Sequence, residues 1–167
     1  MRAAALILIV LTLSACGFHL RGREAVALPQ QLRQLHVTMP GRMAYPPLLV
    51  EVRNALASQA GVRLARKGEA APTLMLVGES LGVEPLSVNT LGQVTEHLLS
   101  YQVTFSLSGA RGEVWLGQQS VKLQREYTYD SRNVLATEKQ NDFLASEMRR
   151  EAVQQILRRL AAADIAG

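Results

Sequence analysis

The stretch "LLSYQVTFSLS", residues 98–108, decides the fold. Leu99, Tyr101, Val103, Phe105 and Leu107 share one parity, and Ser100, Gln102, Thr104 and Ser106 share the other. Successive side chains of a strand point to opposite faces, so this is a strand. One face belongs to a core, and the other is wet or packed on something polar.

Working outward, "GARG" (109–112) makes a hairpin turn into "EVWLGQQSVKLQREYTY" (113–129). There Trp115, Val121, Leu123 and Tyr127 share a parity, with Gly117 placed to break the register. Upstream, "TLGQ" (90–93) is a turn and "TLMLVGESLGVEPLSV" (73–88) a strand, with Gly78 and Gly82 as candidate bulges or close approaches. "LHVTM" (35–39) alternates as a short strand that Pro40-Gly41 stops. Pro46-Pro47 opens a helix carrying Leu48, Leu49, Val52 and Leu56 at helical spacing, and Gly61 ends it. The segment between this helix and residue 73 reads as a basic connector, and residues 130–137 as a loop. From Lys139 to about Ala163, Ala145, Met148, Ala152, Ile156 and Leu160 recur at three to four, widened by Val153 and Leu157.

The order strand, helix, three strands, helix predicts an α+β fold, with two amphipathic helices on one face of a four-stranded, mostly antiparallel sheet. With 167 residues, 48% hydrophobic and 19% charged, the chain has the material for a single cored domain. We expect it to occupy residues 35–167, after a tether over residues 16–34 that carries Gly17, Gly22 and Pro29 without sustained periodicity.

The first 15 residues are of another kind. Met1-Arg2 is a positive start, and Ala3 to Leu13 is apolar except for Thr12. A run of 11 residues is too short to cross a bilayer, which takes roughly 20, but has the size of a signal-peptide core. Ser14, Ala15 and the chain's single cysteine follow, and Leu13-Ser14-Ala15-Cys16 resembles the bacterial lipobox. That resemblance implies cleavage before Cys16, a thioether-linked diacylglycerol on its sulfur and an acyl chain on its new amine. The same resemblance implies that an aspartate at position 17 would favour inner-membrane retention, so Gly17 there favours the outer membrane.

Without residues 1–15 the chain holds 17 basic against 14 acidic side chains, a net charge of +3. Residues 17–72 hold eight of the cations and three glutamates. A basic front half suits anionic lipid head groups or an acidic protein surface, and also an ordinary solvated one.

Catalytic constellations are not legible. His19, His36 and His97 have no Cys, His, Asp or Glu at metal-ligand spacing, so neither a metal nor another cofactor is expected beyond the acyl chains on Cys16. Phosphate-loop and G-x-S-x-G signatures are missing, and basic residues are not interleaved with aromatics as nucleic-acid binding requires. Binding remains. Arg149 falls inside the apolar stripe of the last helix, where it either snorkels or presents its guanidinium to a phosphate. Tyr127 and Tyr129 with Arg125 and Arg132 form an aromatic-basic cluster at the end of the last strand, ordinary decoration or a surface for a head group or protein.

Cys16-Gly17-Phe18-His19-Leu20-Arg21-Gly22 on a lipobox resembles the start of mature chains of the LptE family, lipoprotein partners of the barrel protein LptD in lipopolysaccharide assembly. "VRNAL" in the first helix, the Gly-Gln turn and "VLATEKQNDFLASEMRREAVQQILRRLAA" extend the similarity over nearly the whole mature chain. The resemblance implies a non-enzymatic plug, one per LptD barrel, that supports barrel folding and helps deliver lipopolysaccharide to the outer leaflet. In that family a basic residue between the second and third strands is a candidate lipopolysaccharide contact. Here that turn reads "SVNTLGQ", without charge, leaving Arg125, Arg132, Lys139 and Arg149 as candidates. Two rivals are a lipoprotein pilot for another pore such as a secretin, and an envelope hydrolase.

Overall fold

The computed structural model describes residues 26–41, 46–130 and 133–165. Its elements are β1 (Gln34–Thr38), α1 (Pro47–Gln59), β2 (Arg63–Leu64), β3 (Thr73–Val88), β4 (Val94–Ser108), β5 (Val114–Thr128) and α2 (Val134–Ala161), with a 3-10 turn over Gln30–Leu32 ahead of β1. The α+β class agrees with expectation, but the sheet has five strands where four were expected, in the order β2-β1-β3-β4-β5. The additional strand, β2, lies in the basic connector. It pairs parallel to β1 through Gln34 opposite Arg63 and Leu35 opposite Leu64. Two residues carry no period that a sequence could reveal. β1 is also parallel to β3, because α1 returns the chain to the same end of the sheet, whereas β3, β4 and β5 form an antiparallel meander.

Pro47 is the first residue of α1, where its missing N–H costs no hydrogen bond. Leu48, Leu49, Val52, Ala55 and Leu56 form its buried stripe. The helix stops at Gly61, whose φ of 63° is open to glycine without strain, and the Val62 N–H donates back to the Leu56 carbonyl at 3.0 Å. α2 starts at Val134 rather than at Lys139. Asn133 is its cap, the side-chain oxygen accepting the Ala136 N–H, so part of the expected loop is helix. α1 lies over β1 and β2, α2 over β4 and β5, and the helices touch each other.

On β4 the alternation is as expected: Leu99, Tyr101, Val103, Phe105 and Leu107 are at most 2% exposed. The register slips between Phe105 and Leu107 because β5 holds an extra residue near Gly117, which breaks the parity there. On β3 a slip between Leu76 and Gly78 has a larger consequence. Leu74 and Leu76 are buried before it; after it, Glu79, Leu81 and Val83 stand opposite Val103, Tyr101 and Leu99 and so share the helix-covered face. Gly82 sits in register opposite Ser100, with open space where a side chain would be.

The domain also begins earlier than residue 35. Leu32 is fully buried, Val26 and Leu28 pack against the same core, and the Gln31 amide donates to the Ile165 carbonyl at 3.4 Å. Cys16 and the rest of the expected tether lie outside the described residues, as does Arg132.

Candidate functional site

Two surfaces and one internal network are built by this arrangement. The first surface is the sheet face that no helix covers. Its pairs are Ser80 with Gln102, Gln102 with Lys122, Ser100 with Gln124, and Thr104 with Ser120. The Thr104 and Ser120 hydroxyls hydrogen-bond at 3.0 Å, and the Gln124 amide donates to Ser100 Oγ at 3.4 Å. These side chains are polar and partly or fully open, with one cation in Lys122, a platform that offers donors and acceptors across three strands.

The second surface is the open half of β3 with the following turn. Leu81, Val83, Leu86 and Val88 are 42–59% exposed, and Leu91 at the turn is 81% exposed. Beneath this end, the His97 ring meets Tyr127 at 5.5 Å and Tyr129 at 4.6 Å between centroids. Burial, then the neighbouring Tyr129, raises the Tyr127 hydroxyl above the ordinary tyrosine value. His97 Nδ1 is buried here without a hydrogen-bond partner, as is Asn141 Oδ1 on α2.

The network is internal. Arg149 Nε donates to Glu79 Oε1 at 3.1 Å, and Arg149 Nη1 lies 3.6 Å from Glu51 Oε1. The Tyr101 hydroxyl donates to the same Glu79 oxygen at 2.6 Å. Burial, then the hydrogen bond to Glu79, holds the Tyr101 proton far above its ordinary range. For Arg149, burial works against the charge, but Glu79, Tyr101 and Glu51 outweigh it and raise its pKa. α2, β3, β4 and α1 are thus tied through one guanidinium.

The candidates therefore separate. Arg149 neither snorkels freely nor faces solvent; two carboxylates hold its guanidinium. Arg125 is exposed on β5 and paired with Glu151 of α2. Lys139 is exposed on the N-terminal part of α2. Glu79 and Glu51 were not singled out from the sequence. A bulge at Gly78 was readable, but not its consequence, which is to turn Glu79 inward. Among the described residues no group of three His, Cys, Asp or Glu is placed to hold a metal ion, and no helix is long and apolar enough to cross a membrane.

The lipopolysaccharide-assembly LptE family model matches residues 32–160, from the buried Leu32 to the last buried residue of α2. The chain belongs to the LptE family. An LPS-assembly lipoprotein LptE of Photorhabdus laumondii is 30% identical over 154 residues, 92% of this chain and 81% of its own length. One from Yersinia pestis is 29% identical over 154 residues, 92% of this chain and 72% of that protein. Among solved structures, lipoprotein B of Nitrosomonas europaea superposes with a TM-score of 0.72 at 26% identity, over 87% of this chain and 91% of its own. The rare lipoprotein B of Shewanella oneidensis gives 0.68 at 29% identity, over 77% of this chain and 94% of that one. The LptE fold thus comprises the whole sheet and both helices.

Proposed function

We propose that this chain is a lipid-anchored outer-membrane subunit of lipopolysaccharide assembly. It lodges as a plug, one copy per barrel, in the lumen of an LptD-type β-barrel, supports folding of that barrel and assists delivery of lipopolysaccharide to the outer leaflet. The role is one of binding and support, with no bond made or broken by the chain. Membership of the LptE family supports the pathway. The observation that carries the plug is the uncovered polar sheet face, with Gln102, Thr104, Ser120 and Gln124 spread over it. A barrel lumen is itself lined by polar side chains, so such a platform can exchange hydrogen bonds with it, and Lys122 on the same face needs an acceptor or carboxylate from the lumen.

Cys16 is the anchor in this reading, holding a diacylglycerol and an N-acyl chain in the leaflet nearest the domain. For lipopolysaccharide itself, Arg125, Arg132 and Lys139 remain the proposed contacts. Arg149 is the weakest of the four, because a phosphate would have to displace Glu79 and Glu51 from it.

The test is recovery of the tagged protein from its own envelope in mild detergent, with mass spectrometry of what remains bound. A stoichiometric LptD-type barrel that survives washing is the expected result. A secretin in its place would favour the pilot reading, and absence of any barrel would sink the plug. In parallel, Cys16→Ser is expected to release the protein from the outer-membrane fraction.

A further inference from the structure

The charges of this domain are sorted by end. Gln31 contacts Ile165, so the N-terminal chain enters beside the end of α2. The starts of β2, β3 and β5 lie at the same end, by the pairing of Gln34 with Arg63, His36 with Thr73, and Ser108 with both Thr73 and Val114. Arg33, Arg63, Arg66, Lys67, Arg111 and Arg158 are all exposed there. Glu69 is engaged by Arg63 at 2.9 Å and by the Arg66 N–H, and Glu113 accepts the Arg111 N–H, which leaves Asp164 as the remaining described carboxylate. The opposite end carries the exposed Glu84, Glu96, Glu126, Glu138 and Asp142, against Arg125 and Lys139 among the described residues.

We infer that the basic end is a docking face for the anionic phospholipid surface of the leaflet that holds the anchor, engaged by the lipidated chain before it enters the barrel lumen. Charged side chains on β2 would also blunt an exposed sheet edge, but Arg111 at a hairpin tip and Arg158 on α2 lie away from that edge, so edge protection does not account for them. The cations come from separate elements and spread over one end rather than converging on a point. That distribution fits a charged plane better than a single small anion. Val26 lies ten positions after Cys16, so the entry point stands within about 35 Å of a lipidated Cys16. The inference rests on the anchor reading for that last step. A plane of negative charge then draws the basic end down and repels the acidic end, setting the domain upright.

The full chain, reconstituted in vesicles of phosphatidylcholine alone or with added phosphatidylglycerol, tests this with an intrinsic probe. Trp115 is the only tryptophan, and it sits at the basic end next to the 109–113 turn. Energy transfer from Trp115 to a dansylated lipid head group is expected to rise when phosphatidylglycerol is present and to fall to the neutral-vesicle value in high salt. Arg33→Gln, Arg66→Gln and Lys67→Gln together are expected to abolish that rise. Lys122→Gln with Arg150→Gln, away from this end, is expected to preserve it. Equal transfer in both vesicles would overturn the inference, as would equal losses in the two variants. Flotation with neutral vesicles reports the anchor separately. If the chain floats only with phosphatidylglycerol, the anchor reading fails and the basic end stands; if it floats with neither, both fail.

Discussion

Arg149 and Glu79 lie seventy positions apart and meet at 3.1 Å between α2 and β3, each side chain about four-fifths removed from solvent. The contact exists because of a bulge. One extra residue at Val77 rotates the rest of β3 by half a period, so a carboxylate that strict alternation from Leu74 would place outside is turned toward the helices. Tyr101 completes the acceptor's hydrogen bonds.

Breaking this pair on one side leaves a poorly solvated charge. Arg149→Met is therefore expected to cost roughly 2–4 kcal/mol, at or just below the range for buried pairs because some solvent reaches both groups. Arg149→Met combined with Glu79→Leu is expected to recover most of the loss, since a well-packed apolar replacement often matches a buried ion pair. Urea unfolding of both singles and the double closes the cycle. Additive losses would mean that the two residues do not act as a unit.

Tyr101 supplies a pH dependence. Its folded-state pKa is raised above the ordinary 10.0 by burial and by Glu79, so the unfolded chain gives up this proton first as pH rises. The stabilisation is fully present below about pH 10 and declines above it, where the unfolded chain binds fewer protons than the folded one. Tyr127 is shifted in the same direction and adds to the decline. Tyr101→Phe is expected to flatten the alkaline limb of stability against pH while leaving Tyr127's share. An unchanged limb would show that Tyr101 ionises as readily folded as unfolded.

The two faces of β4 separate stability from assembly. Phe105 is fully buried, and Phe105→Ala is expected to cost about 3–5 kcal/mol through lost contacts and the cavity left behind. On the opposite face, Thr104→Ala with Gln102→Ala is expected to stay within about 0.5 kcal/mol per site, as solvent-facing changes do. The same pair is expected to weaken retention of the barrel in the detergent pull-down. Full retention would move the barrel contact to another surface.

What was legible in the sequence follows how each residue is constrained. The alternation through Leu99–Leu107 could be read directly because one face is buried and the other is not, which fixes the period. α1 was bounded by Pro47 and Gly61, whose backbone preferences are local. β2 was not readable, since two residues show no period and their partner lies in β1. Leu32 and its neighbours looked like tether because they fill the margin of the core without repeating. A helical wheel placed Arg149 on the apolar side of α2, but a wheel gives a direction and not a partner. That partner came from a register slip on another strand. Asn133 as a helix cap was missed although its residue type favours that position, because an apolar repeat becomes visible only further along the helix.

Asn141 offers the last test. It sits on α2, and its side-chain oxygen is buried without a hydrogen-bond partner. Replacing an unsatisfied polar group by an apolar one of similar volume removes a desolvation cost, so Asn141→Leu is expected to raise stability by about 1 kcal/mol. Asn133→Ala, one helix start away, is expected to lower it by about the same amount through loss of the cap. Thermal melts of both variants distinguish the two effects. A loss on Asn141→Leu as well would mean that the amide is held by an interaction formed only in solution, and its barrel retention would then be measured. Greater stability with weaker retention would mark Asn141 as a polar group kept for the partner rather than for the fold.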